Sequence, residues 1–347
     1  MKKSLLAIAI AAAVPAVASA QVTVGGIMDG GFNSVVTKTQ TGTSAASETT
    51  RNQTGGNAAG ALASNRLFFR GTEKIGDLTA GFHYELGLDA GGTGDLSTTG
   101  GVRRSVVSLA GGFGTVEIGR DYTPIFSLSC ALDTSMCDNV NIGKAVYLAG
   151  SGTDGIRVTT VRNSGQIMYT TPSMGGLVAR VAVTNRSNET KVNGDVESTG
   201  GSLVYNAGPL MVGAAINNQD SWAGTTSISK TAREEMVIGG SYMVSKQLSL
   251  QFQNGSIKTN GVKTYQGNQI GARFNFTDSM MVHASFGSGD GVGTDLKNAY
   301  KLGLINNLSK RTRLYALYGS DELETKSGTT VTKRDRSEFA VGLNHSF

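Results

Sequence analysis

A period of two in hydrophobicity recurs along this chain and leaves it few folds to adopt. Leu78, Ala80, Phe82, Tyr84 and Leu86 alternate with Thr79, Gly81, His83 and Glu85. Leu248, Leu250 and Phe252 alternate with Gln247, Ser249, Gln251 and Gln253. Phe339, Val341, Leu343, His345 and Phe347 alternate with Ala340, Gly342, Asn344 and Ser346. Successive side chains of a strand point to opposite faces, so each stretch reads as a strand with one apolar face and one polar or tiny face. Helix-period stretches are hard to find.

The connections carry a second pattern. Long ones, rich in Gly, Ser, Thr, Asn and Asp, fall near 32–63, 87–101, 121–164, 185–200, 217–233, 255–263, 287–296 and 320–335. Short ones fall near 74–77, 111–114, 172–176, 207–209, 244–246, 277–279 and 308–311. The two kinds alternate strictly, which predicts sixteen strands. All long loops then leave one end, and all short turns and both termini lie at the other. That is an all-β, 16-stranded antiparallel up-and-down barrel. Sixteen strands enclose an interior too wide for side chains to fill. An apolar lining would be unpacked, whereas a polar, wetted one needs no packing. The apolar face therefore belongs outside against lipid, in a transmembrane barrel. Tyr84, Tyr300 and Tyr318 are candidates for an aromatic girdle.

Composition agrees. Glycine accounts for 48 of 347 residues, about twice the usual share. Proline is scarce at 4 residues, and glycine has no period of three, which excludes collagen. Beyond residue 20 no apolar run is long enough for a membrane helix. Residues 1–20, MKKSLLAIAIAAAVPAVASA, have a basic start, a short apolar stretch and a small-residue end. They are expected to be a signal peptide cleaved after Ala20, leaving residues 21–347 as one barrel domain. Without Lys2 and Lys3, 29 basic residues face 26 acidic ones, a net charge of +3. That is too weak for a nucleic-acid partner. The G-x-G-x-x-G at 150–155 does not follow an apolar strand or open a helix, and the three histidines lie in different strands. Neither a catalytic constellation, nor a cofactor, nor a metal site is expected.

SNRLFFRGTEKIGD (64–77), RRSVVSLAGGFGTVEIGRDYTP (103–124), DGIR (154–157), QIMYTTPSMGG (166–176), LSKRTRLY (308–315) and the terminal Phe347 form an ordered set of blocks. Together they resemble the trimeric Gram-negative porins, especially their β-proteobacterial branch. The ordered set spans the mature chain. The resemblance implies an outer-membrane homotrimer embedded in lipid. It implies a water-filled channel for passive diffusion of small hydrophilic solutes, anions preferentially. It also implies an inward-folded third loop at about 121–164 that narrows the pore, and reads Phe347 as the signal for the outer-membrane assembly machinery.

By the same resemblance Arg66, Arg103 and Arg157 project into the pore, and Glu85 is an acidic pore residue. Strand parity adds Arg70 to the face of Arg66 and turns Arg180 inward. Arg103 and Arg104 have opposite parity, so one should point away unless the strand bulges. Arg120 begins the loop, and Asp29, Glu117, Asp121 and Asp133 are further acidic candidates. The expected constriction is a basic wall facing acidic groups on the loop, a field focused by low-dielectric walls. Phe68 shares the parity of Arg66 and Arg70, which implies a narrower pore there or a different register. Cys130 and Cys137 lie in the loop of an exported protein and are expected to form a disulfide.

Overall fold

The computed structural model describes residues 22–55, 60–88, 101–146, 160–225 and 227–347. The expected signal peptide and its cleavage site fall outside them. The first strands are β1 (Thr23–Thr41), β2 (Ser47–Gly55), β3 (Arg66–Ile75), β4 (Leu78–Gly87), β5 (Val102–Gly111) and β6 (Gly114–Tyr122). A short helix, α1 (Pro124–Leu132), follows. Then come β7 (Arg162–Thr170), β8 (Leu177–Arg186), β9 (Val196–Ala207), β10 (Leu210–Ala223), β11 (Ser229–Met243) and β12 (Leu248–Thr259). The last are β13 (Val262–Asn275), β14 (Met280–Gly291), β15 (Thr294–Asn307), β16 (Thr312–Ser327) and β17 (Thr330–Ser346).

These seventeen segments fill sixteen positions, because β2 and β3 share one. β2 pairs with residues 31–39 of β1 and β3 with residues 23–27. Every later strand pairs antiparallel with its predecessor, and β17 returns to β1, from Ile27↔Ser346 to Thr41↔Thr332. The sheet is closed, so its lengthwise edges are paired. At the seam the Phe347 N–H donates to the Gly26 carbonyl and the Gly26 N–H to the Phe347 carbonyl, both 3.1 Å.

The short turns lie where the sequence puts them, but several expected long connections are strand. β12 and β13 meet at Asn260 and Gly261, whose φ angles of 50° and 79° suit a tight hairpin turn. β14 and β15, and likewise β16 and β17, are also joined by two-residue turns. Beyond the bilayer both faces of a hairpin meet water. The apolar half of the alternation disappears there while backbone pairing continues, so pattern reading ends the strand too early. A tilted strand needs about 9–11 residues to cross. β3 to β8 have 9 or 10, whereas β1 has 19, β16 has 16 and β17 has 17. The barrel wall is low along β3–β8 and tall elsewhere.

Burial is inverted relative to a water-soluble fold. Val107, Ile118, Val181, Ile216, Ile270 and Phe286 are each about half exposed, while Glu235, Gln253, Gln269, His283, Lys301 and Asp321 are buried. Within β12, Leu250 and Phe252 are exposed and Gln251 and Gln253 are buried. Water does not tolerate so continuous an apolar girdle, which is the mark of a lipid-facing surface.

The segment after β6 crosses the interior. Thr123 caps α1, its Oγ1 accepting from the Phe126 N–H at 3.2 Å, with Pro124 in the first turn. Ile125, Leu128 and Leu132 are buried as the helix packs against β9–β12. Glycines in the wall let the chain lie flat on it. A Cβ at Gly213 would stand 2.8 Å from Leu128 Cδ1, and one at Gly319 would collide with the Ile142 carbonyl oxygen. Part of the glycine excess is therefore wall surface cleared for this segment.

Candidate pore constriction

The low wall carries the arginine cluster. On β3, Arg66, Phe68 and Arg70 share the inner face with His83 and Glu85 of β4, through the pairs Phe68↔Glu85 and Arg70↔His83. The register at Phe68 is therefore the one parity predicts. Its ring lies 5.8 Å from that of His83 and 5.3 Å from the Arg70 guanidinium, and Gly25 makes room for it.

The adjacent arginines of β5 both point inward, and a bulge is the reason. Glu85 pairs with Arg104 while Leu86 pairs with Val102, which leaves Arg103 as the extra residue. Arg103 Nε donates to Glu85 Oε1 at 2.7 Å, and Arg66 Nη1 lies 3.6 Å from the same oxygen. Arg104 Nη2 donates to Asp121 Oδ2 at 2.6 Å, and Arg104 Nη1 lies 2.9 Å from His83 Nδ1.

Tyr122 is the hub of the cluster. Its hydroxyl accepts from Arg162 Nη2 at 2.7 Å and from Arg103 Nη2 at 3.2 Å. The Arg162 guanidinium stands 4.2 Å from the ring centroid, a cation–π contact, and Phe126 stacks on the ring at 4.9 Å. The sequence pattern alone does not single out Arg162. Its one signal is a charge close before Gln166, on a strand whose exposed face is Ile167 and Tyr169. Arg180 lies on the inner face of β8 beside buried Ala182. Along the inner face of β3–β8, among the described residues, Arg66, Arg70, Arg103, Arg104, Arg162 and Arg180 are set against Glu85, Glu117 and Asp121, six cations against three carboxylates. Arg157 lies outside the described residues.

Three expected site residues are elsewhere. Arg120 pairs with Ser105, opposite in parity to Glu117 and Asp121. It is on the outer face near the rim, where its Nε donates to the Val102 carbonyl at 2.8 Å and its Nη1 to Ser164 Oγ at 2.7 Å. Asp133 is fully buried between the crossing segment and the wall. It lies 3.2 Å from Lys144 Nζ and accepts from Ser135 Oγ at 2.8 Å and Gln269 Nε2 at 3.1 Å. Burial pushes its carboxyl up, but Lys144 and Lys301 with the Ser135 hydroxyl outweigh that and hold it well below the ordinary value. Asp138 is likewise turned to the wall, 3.0 Å from Lys144 Nζ and bonded to Lys301 Nζ. Asp29 is buried at the seam, accepting from Tyr315 Oη at 2.6 Å and Asn344 Nδ2 at 3.0 Å.

Asp133 and Asp138, the carboxylates beyond β6 among the described residues of the crossing segment, therefore anchor it instead of facing the gap. Further anchors are Arg336 and Asp321, paired at 2.7 Å, with the Gly143 N–H donating to Asp321 at 2.9 Å. Thr160 donates to Glu235 through N–H and Oγ1, both 2.9 Å. Cys130 and Cys137 are joined by a disulfide, with their Cα atoms 5.3 Å apart. The pair lines a cavity of about 630 Å³ together with Ser127, Met136, Arg66 and Arg103.

A closed, lipid-facing barrel with a charged, narrowed interior defines the class: a transmembrane β-barrel channel. A family model described as Gram-negative porin matches residues 6–326, and the chain belongs to that family. It is an outer-membrane porin. Outer membrane porin protein 32 of Delftia acidovorans is 32% identical, over 99% of this chain and 95% of that protein. An outer membrane porin protein of Bordetella pertussis is 27% identical over the full length of both. The structure of an anion-selective porin from Comamonas acidovorans superposes with a TM-score of 0.69 at 26% identity. That match covers 95% of this chain and 100% of the other.

Proposed function

We propose that this porin passes small hydrophilic solutes by passive diffusion with a preference for anions. The observation that carries the reading is the imbalance of six arginines against three carboxylates on the inner face of β3–β8, with Arg103 and Arg162 held on the Tyr122 hydroxyl. Arginine stays charged at any working pH and is weakly hydrated for a cation, so it attracts anions without binding them irreversibly. Arg66, Arg70, Arg103, Arg104, Arg162 and Arg180 are the proposed selectivity wall, Arg157 is proposed to join it, and Glu85 and Asp121 orient it. The crossing segment at about 121–164 is the proposed constriction loop. The likeness to the anion-selective porin of Comamonas acidovorans supports this reading.

The functional unit is proposed to be a homotrimer, on the resemblance to trimeric porins. Export by residues 1–20 with cleavage after Ala20, and recognition of Phe347 by the assembly machinery, complete the proposal; no catalytic activity is proposed. The test is the zero-current potential of the purified protein in a planar bilayer under a potassium chloride gradient. A sign that reports chloride preference supports the reading, and a cation-preferring sign overturns it.

A further inference from the structure

We propose that the constriction favours organic anions that carry an apolar body, such as aromatic carboxylates, over hydroxylated carboxylates of the same charge. This rests on the anion-preferring reading and deepens it. One side of the cavity is cationic, with Arg66, Arg103 and Arg162 presented together. The rest of the lining, among the described residues, is uncharged and includes Phe126, Ser127, the Cys130–Cys137 disulfide and Met136. Asp133 and Asp138, the carboxylates of the segment between α1 and β7 among the described residues, are turned to the wall and paired with lysines.

Water in the gap is therefore not ordered between opposite charges, so an apolar surface entering it displaces weakly held water. The walls also match two parts of one molecule. Guanidinium forks take a planar carboxylate side-on. The thioether and the disulfide are polarisable, and sulfur makes favourable contacts at the edges of aromatic rings. Met136 is exposed to the lumen. An aromatic carboxylate has both parts, whereas a hydroxylated one must shed water against Met136 with nothing to replace it.

The experiment is a bi-ionic potential across a planar bilayer containing the full channel, with potassium chloride opposite potassium benzoate and then opposite potassium gluconate. In the wild type the benzoate-to-gluconate permeability ratio should exceed the ratio of their bulk mobilities by about threefold, the size of one sulfur–aromatic contact. Met136→Asn should bring it back toward the bulk ratio. Met136 sits at φ 59°, a region asparagine enters readily, so the variant keeps its backbone. Its chloride-over-potassium preference should be unchanged, because no charge is altered. A wild-type ratio at the bulk value, or one that Met136→Asn leaves unchanged, overturns this inference while the anion preference stands. Loss of chloride preference in the wild type refutes the underlying reading instead.

Discussion

Arg162 offers the sharpest test of the selectivity wall, because among the described residues no carboxylate lies within ion-pairing distance of it. Arg162→Gln removes one full charge while keeping a donor for the Tyr122 hydroxyl. A unit charge about 6 Å from a passing monovalent ion is worth roughly 0.7 kcal/mol in water, and about 0.4 kcal/mol after screening at 0.1 M salt, where the Debye length is ~10 Å. That shifts the chloride preference about twofold and the potassium preference about twofold the other way, so the permeability ratio falls about fourfold. Low-dielectric walls focus the field, which makes this a lower estimate. Glu85→Gln removes the carboxylate 2.7 Å from Arg103 and should move the ratio the opposite way by a similar factor. At 1 M salt, where the Debye length is ~3 Å, both effects should shrink below about 1.5-fold. Zero-current potentials of the three proteins at both salt concentrations give all the numbers. Shifts of the same sign, or a ratio in Arg162→Gln within about 1.5-fold of wild type at 0.1 M, would refute the reasoning.

The remaining predictions concern the crossing segment and the seam. The disulfide closes an eight-residue ring from Cys130 to Cys137, which chain entropy values at about 2.5 kcal/mol. Cys130→Ser with Cys137→Ser should leave the barrel folded but make this segment cleave faster in limited proteolysis, and equal cleavage rates would count against it. Lys301→Met leaves Asp138 short of a buried partner, at a cost of about 3–5 kcal/mol. Open-channel noise should rise, and a quiet channel would show that the anchor is dispensable. At Gly26 a Cβ would overlap the Phe347 ring, whereas at Gly30 nothing lies within 4 Å. Gly26→Val should lower the midpoint of the heat-induced gel shift and Gly30→Ala should not; equal midpoints would remove the seam argument. The Asp133 carboxyl is held below its ordinary value near 3.8. Its contribution to docking is therefore fully present above that value and lost only as pH falls through the lower folded one. Conductance should be level from about pH 5 to 8 as far as this group is concerned, and a step in that range abolished by Asp133→Asn would contradict the pairing.

Much of the fold is legible because alternation is a local property. The strands around Leu78–Leu86 and Gln247–Gln253, the short turns and the outer apolar face can all be read from a few neighbouring residues. Strand ends above the membrane are not, because the pattern there loses its apolar half before the hydrogen bonding stops, as at Asn260–Gly261. The candidate constriction is readable only in kind, as a basic wall beside a long loop: resemblance points to Arg66, and strand parity puts Arg70 on the face of Arg66 and turns Glu85 inward. The Arg103–Arg104 dipeptide holds a clue: a lipid face excludes a charge, so two consecutive arginines in a strand point to a bulge.

Neighbouring residues are thus enough to specify the barrel, its polar lumen, the order of its strands and the loop with two cysteines. Which charges meet in the gap is settled only when the chain has folded. Folding brings Arg162 and Arg103 onto one tyrosine hydroxyl, sends Arg120 outward, and commits Asp133 and Asp138 to anchoring the loop. Those outcomes depend on one-residue bulges and on partners 40 or 163 positions away, Tyr122 for Arg162 and Lys301 for Asp138. A single bulge reverses the facing of every residue beyond it, and a carboxylate goes to the cation that reaches it in the closed barrel. Neither is a property of the residues nearby in sequence.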